Sequence, residues 1–201
     1  MRLLGPFEIV YFAGLILGSL IRVIYTRSSP PTDPQMPMPH PKDKLWMAVS
    51  TLGFIIPLIY LAFPWMDFAD YPLLPWTGWL GTFLFAAALI VLWRSHVDLG
   101  KSWSPWAESK KNHKLVTHGI YSRIRHPMYA AHWLWATAQL FLLQNWIAGP
   151  AMIVTLLPLY LYRVEKEELD MLSLYGEVYR QYMARTCRLL PCLFPKNGSL
   201  K

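Results

Sequence analysis

The chain has 201 residues, of which 54% are hydrophobic and 15% charged, with ten tryptophans and a formal net charge of +7. A soluble core alone does not need so much apolar surface, so the composition argues against an ordinary water-soluble enzyme and for a single integral membrane unit. The basic excess invites a nucleic-acid reading, but the bases lie in segments between apolar runs rather than along one soluble face. Attraction to anionic lipid headgroups is the simpler cause, and no nucleic-acid partner is expected.

Spanning a hydrocarbon core of about 30 Å takes about 20 apolar residues in a helix. The first such run, Leu3 to Tyr25, sits where a signal peptide would. It outlasts the usual apolar region of a signal and ends in Arg22 and Arg27 without a small-residue cleavage pattern, so it is read as a retained transmembrane helix. Glu8 falls near its start, where the membrane interface tolerates charge. Ser28 to Pro41 is rich in proline and reads as an extended connector. Leu45 to Met66 and Trp76 to Trp93 complete three N-terminal membrane helices within residues 1–94.

Two further runs, Tyr129 to Leu143 and Trp146 to Tyr162, are joined by Gln144 and Asn145, a junction short enough to force an antiparallel helical hairpin. Each arm is about 17 residues, or roughly 26 Å, which is marginal for a crossing. Gly149, Pro150 and Pro158 are expected to interrupt the second arm. After Arg163, the spacing of Leu169, Leu172, Tyr175, Tyr179, Tyr182 and Met183 predicts one amphipathic helix, with Gly176 as a bend or a point of close packing. The expected fold is all-α: an integral membrane helical bundle of about five transmembrane helices, with residues 1–201 forming a single domain.

Loop charges alternate. Arg22, Arg27, Lys42 and Lys44 flank the first connection, Asp67 and Asp70 the second, and the third, from Arg94 to Arg125, is heavily basic. The positive-inside rule then places the N-terminus outside and the later polar clusters in the cytoplasm. Cys187 and Cys192 fall on that cytoplasmic side, where no disulfide is expected, and no histidine accompanies them at zinc spacing. His96, His118 and His132 have no recognised metal spacing either, so no metal is expected; His132 reads as a packed or cavity-lining residue. Trp103, Trp106, Trp133, Trp135 and Trp146 read mainly as interface residues.

The richest stretch runs from His113 to Tyr129. Gly119 permits a turn, Pro127 suits the first position of a helix, and Tyr129 suits the interface. Pro127 would leave the first backbone donors of that helix open to a ligand carboxylate or phosphate. Arg163-Val-Glu-Lys-Glu-Glu168 follows the hairpin and supplies a second polar wall. Arg163 and Glu167 lie four apart, so an intrahelical ion pair is the plain structural alternative to a role in a site.

The pattern His-x-Leu-Val-x-x-Gly-Ile-Tyr-x-x-x-Arg-His-Pro-Met-Tyr, with Arg163, Glu167-Glu168 and Tyr175-Gly176-Glu177-x-Tyr179, resembles the isoprenylcysteine carboxyl methyltransferase family over roughly the last half of the chain. The resemblance implies an S-adenosylmethionine pocket in residues 95–201, contacted by His113, Lys114, Leu115 and Val116. It continues through Tyr121 and the His126, Pro127, Met128 and Tyr129 turn, with Glu167 holding a positively charged part of the cofactor. It also implies that Arg163 is the substrate-side, catalytic arginine for a lipophilic carboxylate arriving from the bilayer. Trp106 departs from the family by standing where related enzymes place a polar cofactor contact.

Methyl transfer from a sulfonium to a carboxylate is a direct displacement; the acceptor is already ionised at neutral pH, so no general base is needed. A phospholipid N-methyltransferase is the competing enzyme reading, since related membrane enzymes share the Arg-His-Pro turn, but an amine acceptor must lose a proton. A non-catalytic lipid-binding or transport protein is the reading from another class.

Overall fold

A computed structural model describes residues 4–28, 40–72, 74–100 and 115–192. Its helices are α1 (Pro6–Ser28), α2 (Pro41–Ala62), α3 (Pro75–Leu99), α4 (Pro127–Leu142), α5 (Ala151–Tyr175) and α6 (Glu177–Arg185), with short 3-10 helices at Pro64–Ala69 and Gly119–Ser122. No strand occurs among the described residues; the chain is an all-α integral membrane bundle, as expected.

Proline sets most of the helix starts. Pro6, Pro41, Pro75 and Pro127 each occupy a first position, where a missing N–H costs nothing and the fixed φ suits a helix. This explains why α2 begins ahead of the apolar run, at Pro41, with His40 Nδ1 accepting the Lys42 N–H at 3.2 Å. It ends at Ala62 because Pro64 opens a new turn. Helix α3 continues past Trp93 to Leu99, where Gly100 takes φ +52°.

Three helices, α1 to α3, are long and apolar enough to cross a membrane. Helix α4 has 16 residues, which at 1.5 Å each gives only about 24 Å. Helix α5 has 25 residues, but only its first half is apolar. The two pack together as the expected hairpin, although their connection runs from Leu143 to Pro150 and is longer than two residues. Gly149 and Pro150 precede α5 rather than interrupt it, leaving Pro158 as its internal proline.

The single amphipathic helix expected after Arg163 is corrected. Its first part continues α5 without a break, and Gly176, at φ +51°, ends that helix and starts α6. A residue with a Cβ is strained at that φ, so the glycine is a joint rather than a gentle bend.

Inside the bundle α3 packs along α4, α1 lies against both, and α2 lies along α5. Tyr11 stacks on Phe85 at 5.6 Å, and Phe85 meets Trp135 edge-on at 4.8 Å. A Cβ at Gly14 would come within 2.2 Å of Phe85, so this glycine lets α1 approach α3. Trp135 is 3% exposed and belongs to the core rather than the interface, because it fills the space that Gly18 leaves. Trp146 is 70% exposed, as an interface residue would be, and Trp103 and Trp106 lie outside the described residues.

At the end away from the polar clusters, buried Asn145 closes the hairpin. It accepts the Ile147 and Ala148 N–H groups at 2.9 Å and donates to Met66 O at 2.7 Å and Asp70 Oδ1 at 2.8 Å. Gln139 donates to Ala148 O and accepts the Tyr11 hydroxyl at 2.9 Å. Every buried polar atom so paired avoids a desolvation cost of about 1–3 kcal/mol.

Candidate functional site

Three segments distant in sequence meet at the opposite end: the turn before α4, the middle of α5, and α6 with the chain that follows it. Backbone bonds from Arg125 N–H to Cys187 O (2.8 Å) and from His126 N–H to Arg188 O (2.9 Å) join the first to the third. The Tyr182 hydroxyl donates to Tyr121 O at 2.6 Å, fixing α6 under the Gly119–Ser122 turn. Burial pushes the Tyr182 phenol up to about 12, so it stays a donor at neutral pH.

Glu168 is the hub. Its carboxylate, 4% exposed, accepts Arg125 Nε at 3.1 Å and Arg188 Nη2 at 2.6 Å, and lies 3.2 Å from His126 Nε2. Desolvation opposes ionisation, but the hydrogen bonds from His126 and Arg188 and the charge of Arg125 outweigh it and hold the carboxyl down at about 2. Arg125 also donates to the carbonyls of Met183 and Thr186, so one guanidinium ties α5 to the end of α6.

Glu167 faces the other way. It accepts the Tyr129 hydroxyl at 2.8 Å and sits 3.3 Å from Arg163 Nε, with His126 Nδ1 at 3.7 Å. The His126 ring therefore lies between the two adjacent glutamates. Arg163 is buried, and its Nη1 points at Met47 Sδ, 3.1 Å away on α2. A thioether is a weak acceptor, so this fork retains donor capacity. The intrahelical Arg163–Glu167 pair foreseen as the plain alternative does form.

The Gly119–Ser122 turn has its own anchor. Asp98, near the end of α3, accepts the Ile120 N–H at 2.7 Å and pairs with Arg94 at 2.9 Å. Gly119 has φ +58°, and a Cβ there would lie 2.2 Å from Asp98 Oδ2, so the position needs glycine on both counts.

The structure thus gathers Tyr121, His126, Tyr129, Arg163 and Glu167 around one polar end. Pro127 is buried at the start of α4, where no side chain caps the first turn, and Met128 follows it on the helix. Leu115 and Val116 are half-buried in the preceding loop. His113 and Lys114 lie outside the described residues. Sequence reasoning missed Glu168, Arg125, Arg188 and Asp98. The Glu-Glu pair signalled Glu168, but Arg188 and Asp98 gain meaning only from the tertiary fold. Cys187 and Cys192 form a disulfide, overturning the expectation that they stay apart: the turn after α6 brings their Cα atoms to 5.4 Å.

Fold and site together define an integral membrane helical protein with a buried, charge-paired polar end formed by a helical hairpin and the helix after it. Residues 79–173, just under half of the chain, match the model of the isoprenylcysteine carboxyl methyltransferase family. The protein-S-isoprenylcysteine O-methyltransferase of Schizosaccharomyces pombe is 32% identical over 116 residues, 57% of this chain and 46% of that one. The Homo sapiens protein of the same name is 33% identical over 84 residues, 42% of this chain and 30% of that one. The chain thus spans half or less of the length of these relatives. A solved structure of the eukaryotic intramembrane Ras methyltransferase, isoprenylcysteine carboxyl methyltransferase, superposes with a TM-score of 0.58 at 21% identity, covering 96% of this chain and 70% of that chain. At that identity the likeness speaks for the fold.

Proposed function

We propose that the protein is an S-adenosylmethionine-dependent carboxyl O-methyltransferase acting on a lipophilic, isoprenylcysteine-like carboxylate at the membrane surface. The observation that carries this reading is the Arg163 fork: buried, held by Glu167 at 3.3 Å, and otherwise facing a methionine sulfur at 3.1 Å. An acceptor carboxylate is a far stronger partner than that sulfur, and arginine binds carboxylates bidentately. The named activity of the matched relatives supports the same class.

The residues present suit the methyl donor. The uncapped first turn of α4, started by Pro127, offers the backbone N–H groups of Met128 and Tyr129 and a positive helix end to the donor's carboxylate. Glu167, steadied by the Tyr129 hydroxyl and flanked by His126, offers negative charge to its amino or sulfonium group. Tyr121 and the loop residues His113, Lys114, Leu115 and Val116 would complete that wall.

When bound, the donor supplies an electrophilic methyl group. The protein's own part is alignment and exclusion of water, for which positioning alone supplies several kcal/mol. Arg163 orients the acceptor oxygen; the Glu167 contact keeps the guanidinium from neutralising that oxygen completely. No side chain has to accept a proton. Lateral access from the bilayer, a cytoplasmic placement of the polar end, an outward N-terminus and one domain over residues 1–201 belong to the same proposal.

Calorimetric titration of the purified protein with S-adenosylmethionine, followed by an acceptor panel of lipophilic acids and phospholipid amines, tests it. Saturable donor binding with transfer to acids is the expected result. Transfer to amines alone would replace it by a phospholipid N-methyltransferase, and no donor binding would leave a non-catalytic lipid-binding protein.

A further inference from the structure

The proposed reaction leaves the disulfide unused. It joins the chain's two cysteines, Cys187 and Cys192, five residues apart just after α6 and beyond the family match, which ends at residue 173. Cys187 is exposed and Cys192 half-buried, so a reductant in solution can reach the bridge. A loop this short removes little chain entropy from the unfolded state, so the bridge is a weak staple for the bundle as a whole. On the cytoplasmic side, where the polar end is proposed to lie, disulfides are transient and redox-sensing rather than permanent.

Its position gives it something local to control. Cys187 O accepts the Arg125 N–H at 2.8 Å, and Arg188 O accepts the His126 N–H at 2.9 Å, so the bridged segment lies along the turn that opens α4. The Arg188 guanidinium reaches Glu168 at 2.6 Å although its side chain is 43% exposed, where water competes for the contact. Among the described residues no hydrogen bond holds Leu189 to Cys192, and Leu190 is 75% exposed. The disulfide is what folds this stretch back and keeps Arg188 in place. Helix α6 has separate anchors: Tyr182 bonds to Tyr121 O, and Arg125 bonds to the carbonyls of Met183 and Thr186. Opening the bridge therefore frees the chain after Thr186 and leaves α6 docked.

We propose that Cys187–Cys192 is a site of reversible thiol–disulfide exchange with a dithiol reductant, and that its reduction loosens the Arg125-His126 turn and weakens the hold on the methyl donor. The donor part rests on the methyltransferase reading and adds regulation to the same site. One thiolate of the reductant attacks Cys187 Sγ, the more exposed end; the S–S bond breaks and Cys192 leaves as a thiolate. The second thiol of the reductant then attacks the mixed disulfide and releases Cys187. Two electrons and two protons pass to the cysteines, and the reductant departs as its own disulfide. The oxidised form is the assembled one, with the first turn of α4 held from below by Cys187 and Arg188.

The test uses the full chain in phosphatidylcholine nanodiscs, with dithiothreitol as the reductant. Maleimide labelling should count two new thiols while the helical circular dichroism stays unchanged. Hydrogen exchange at the Arg125 and His126 amides should quicken about tenfold, with the buried amides of α3 unaffected. By calorimetry the Kd for S-adenosylmethionine should rise about fivefold, the loss of one hydrogen bond's worth of support, and return on reoxidation with glutathione disulfide. A variant carrying both Cys187→Ser and Cys192→Ser should match the reduced protein with or without dithiothreitol; should it fail to fold, the reduced wild type carries the comparison. A bridge that resists dithiothreitol until the bundle unfolds overturns the inference and makes it a plain staple. So does reduction that leaves the two amides unchanged, or that quickens them while the donor binds as before. The exchange measurement needs no donor: amides that quicken in a protein that never binds S-adenosylmethionine contradict the enzyme reading and leave the exchange site standing. Donor binding with amides that ignore reduction does the reverse.

Discussion

The Tyr129 hydroxyl donates to Glu167 Oε1 at 2.8 Å, joining the first turn of α4 to the middle of α5 across 38 residues of sequence. That bond places the carboxylate expected to face a cationic donor beside the uncapped helix start expected to face an anionic one. Tyr129→Phe removes a single oxygen and leaves the ring packing intact, including the edge contact with Tyr160 at 5.4 Å. We expect a stability loss of about 1 kcal/mol and a roughly fivefold weaker affinity for S-adenosylmethionine. Thermal unfolding and calorimetry on the same sample read both; a variant with wild-type donor affinity removes Glu167 from the cofactor wall.

Arg163→Lys keeps the charge but loses the planar fork. Loss of a charge-assisted bidentate contact is worth about 1.5–3 kcal/mol, so turnover should fall roughly ten- to hundredfold while donor affinity changes little. Steady-state kinetics beside donor titration give the comparison, and equal losses in both would refute a substrate-side role.

Glu168 makes stability depend on acid. Its folded carboxyl is held at about 2, below the ordinary value of 4.5, so the folded state binds fewer protons there. The resulting stabilisation is complete above the unfolded pKa and is lost as pH falls from about 4.5 towards 2. Glu168→Gln should flatten that limb of the melting-temperature profile. At neutral pH it should also destabilise the protein by about 3 kcal/mol, because the buried Arg125 guanidinium keeps its carbonyl acceptors but loses its counter-ion. An unchanged acid limb would transfer the effect to other carboxyls.

Gly119→Ala meets two obstacles at once: φ +58° and Asp98 Oδ2 at 2.2 Å from the new Cβ. A cost of about 2 kcal/mol or more is expected from strain and displaced packing together. Because Asp98 also anchors the turn, the two obstacles are separated by a cycle: Gly119→Ala should cost less in an Asp98→Ala background than in the wild type. An equal cost in both backgrounds makes the φ constraint the whole cause.

Periodicity and proline positions carried most of the architecture. Every apolar run became a helix, because a membrane-length run has few other ways to satisfy its backbone. Boundaries shifted where a local signal outranked hydropathy, as at Pro41 and Gly176. The continuation of α5 through Arg163 was hidden because its sequence turns polar at that point, although the backbone does not change. At the site, the His126-Pro127 turn, Tyr129, Arg163 and Glu167 were named from the family resemblance, while helical spacing alone offered only an Arg163–Glu167 ion pair, which does form. Arg188 was not: it reaches Glu168 only because the chain turns back after α6 and pairs its backbone with Arg125 and His126. The disulfide was missed for the same reason, since a compartment argument carries no information about a tight turn.

The central claim is methyl transfer to a carboxylate. Incubating the purified protein with methyl-labelled S-adenosylmethionine and an S-prenylated cysteine acid, then treating the product with base, tests it directly, because methyl esters hydrolyse and methylated amines do not. The account predicts label that enters the acid, is released by base as methanol, and accumulates roughly ten- to hundredfold more slowly with Arg163→Lys. Base-stable label in a lipid headgroup, or none in any acid under conditions where the donor binds, would contradict it.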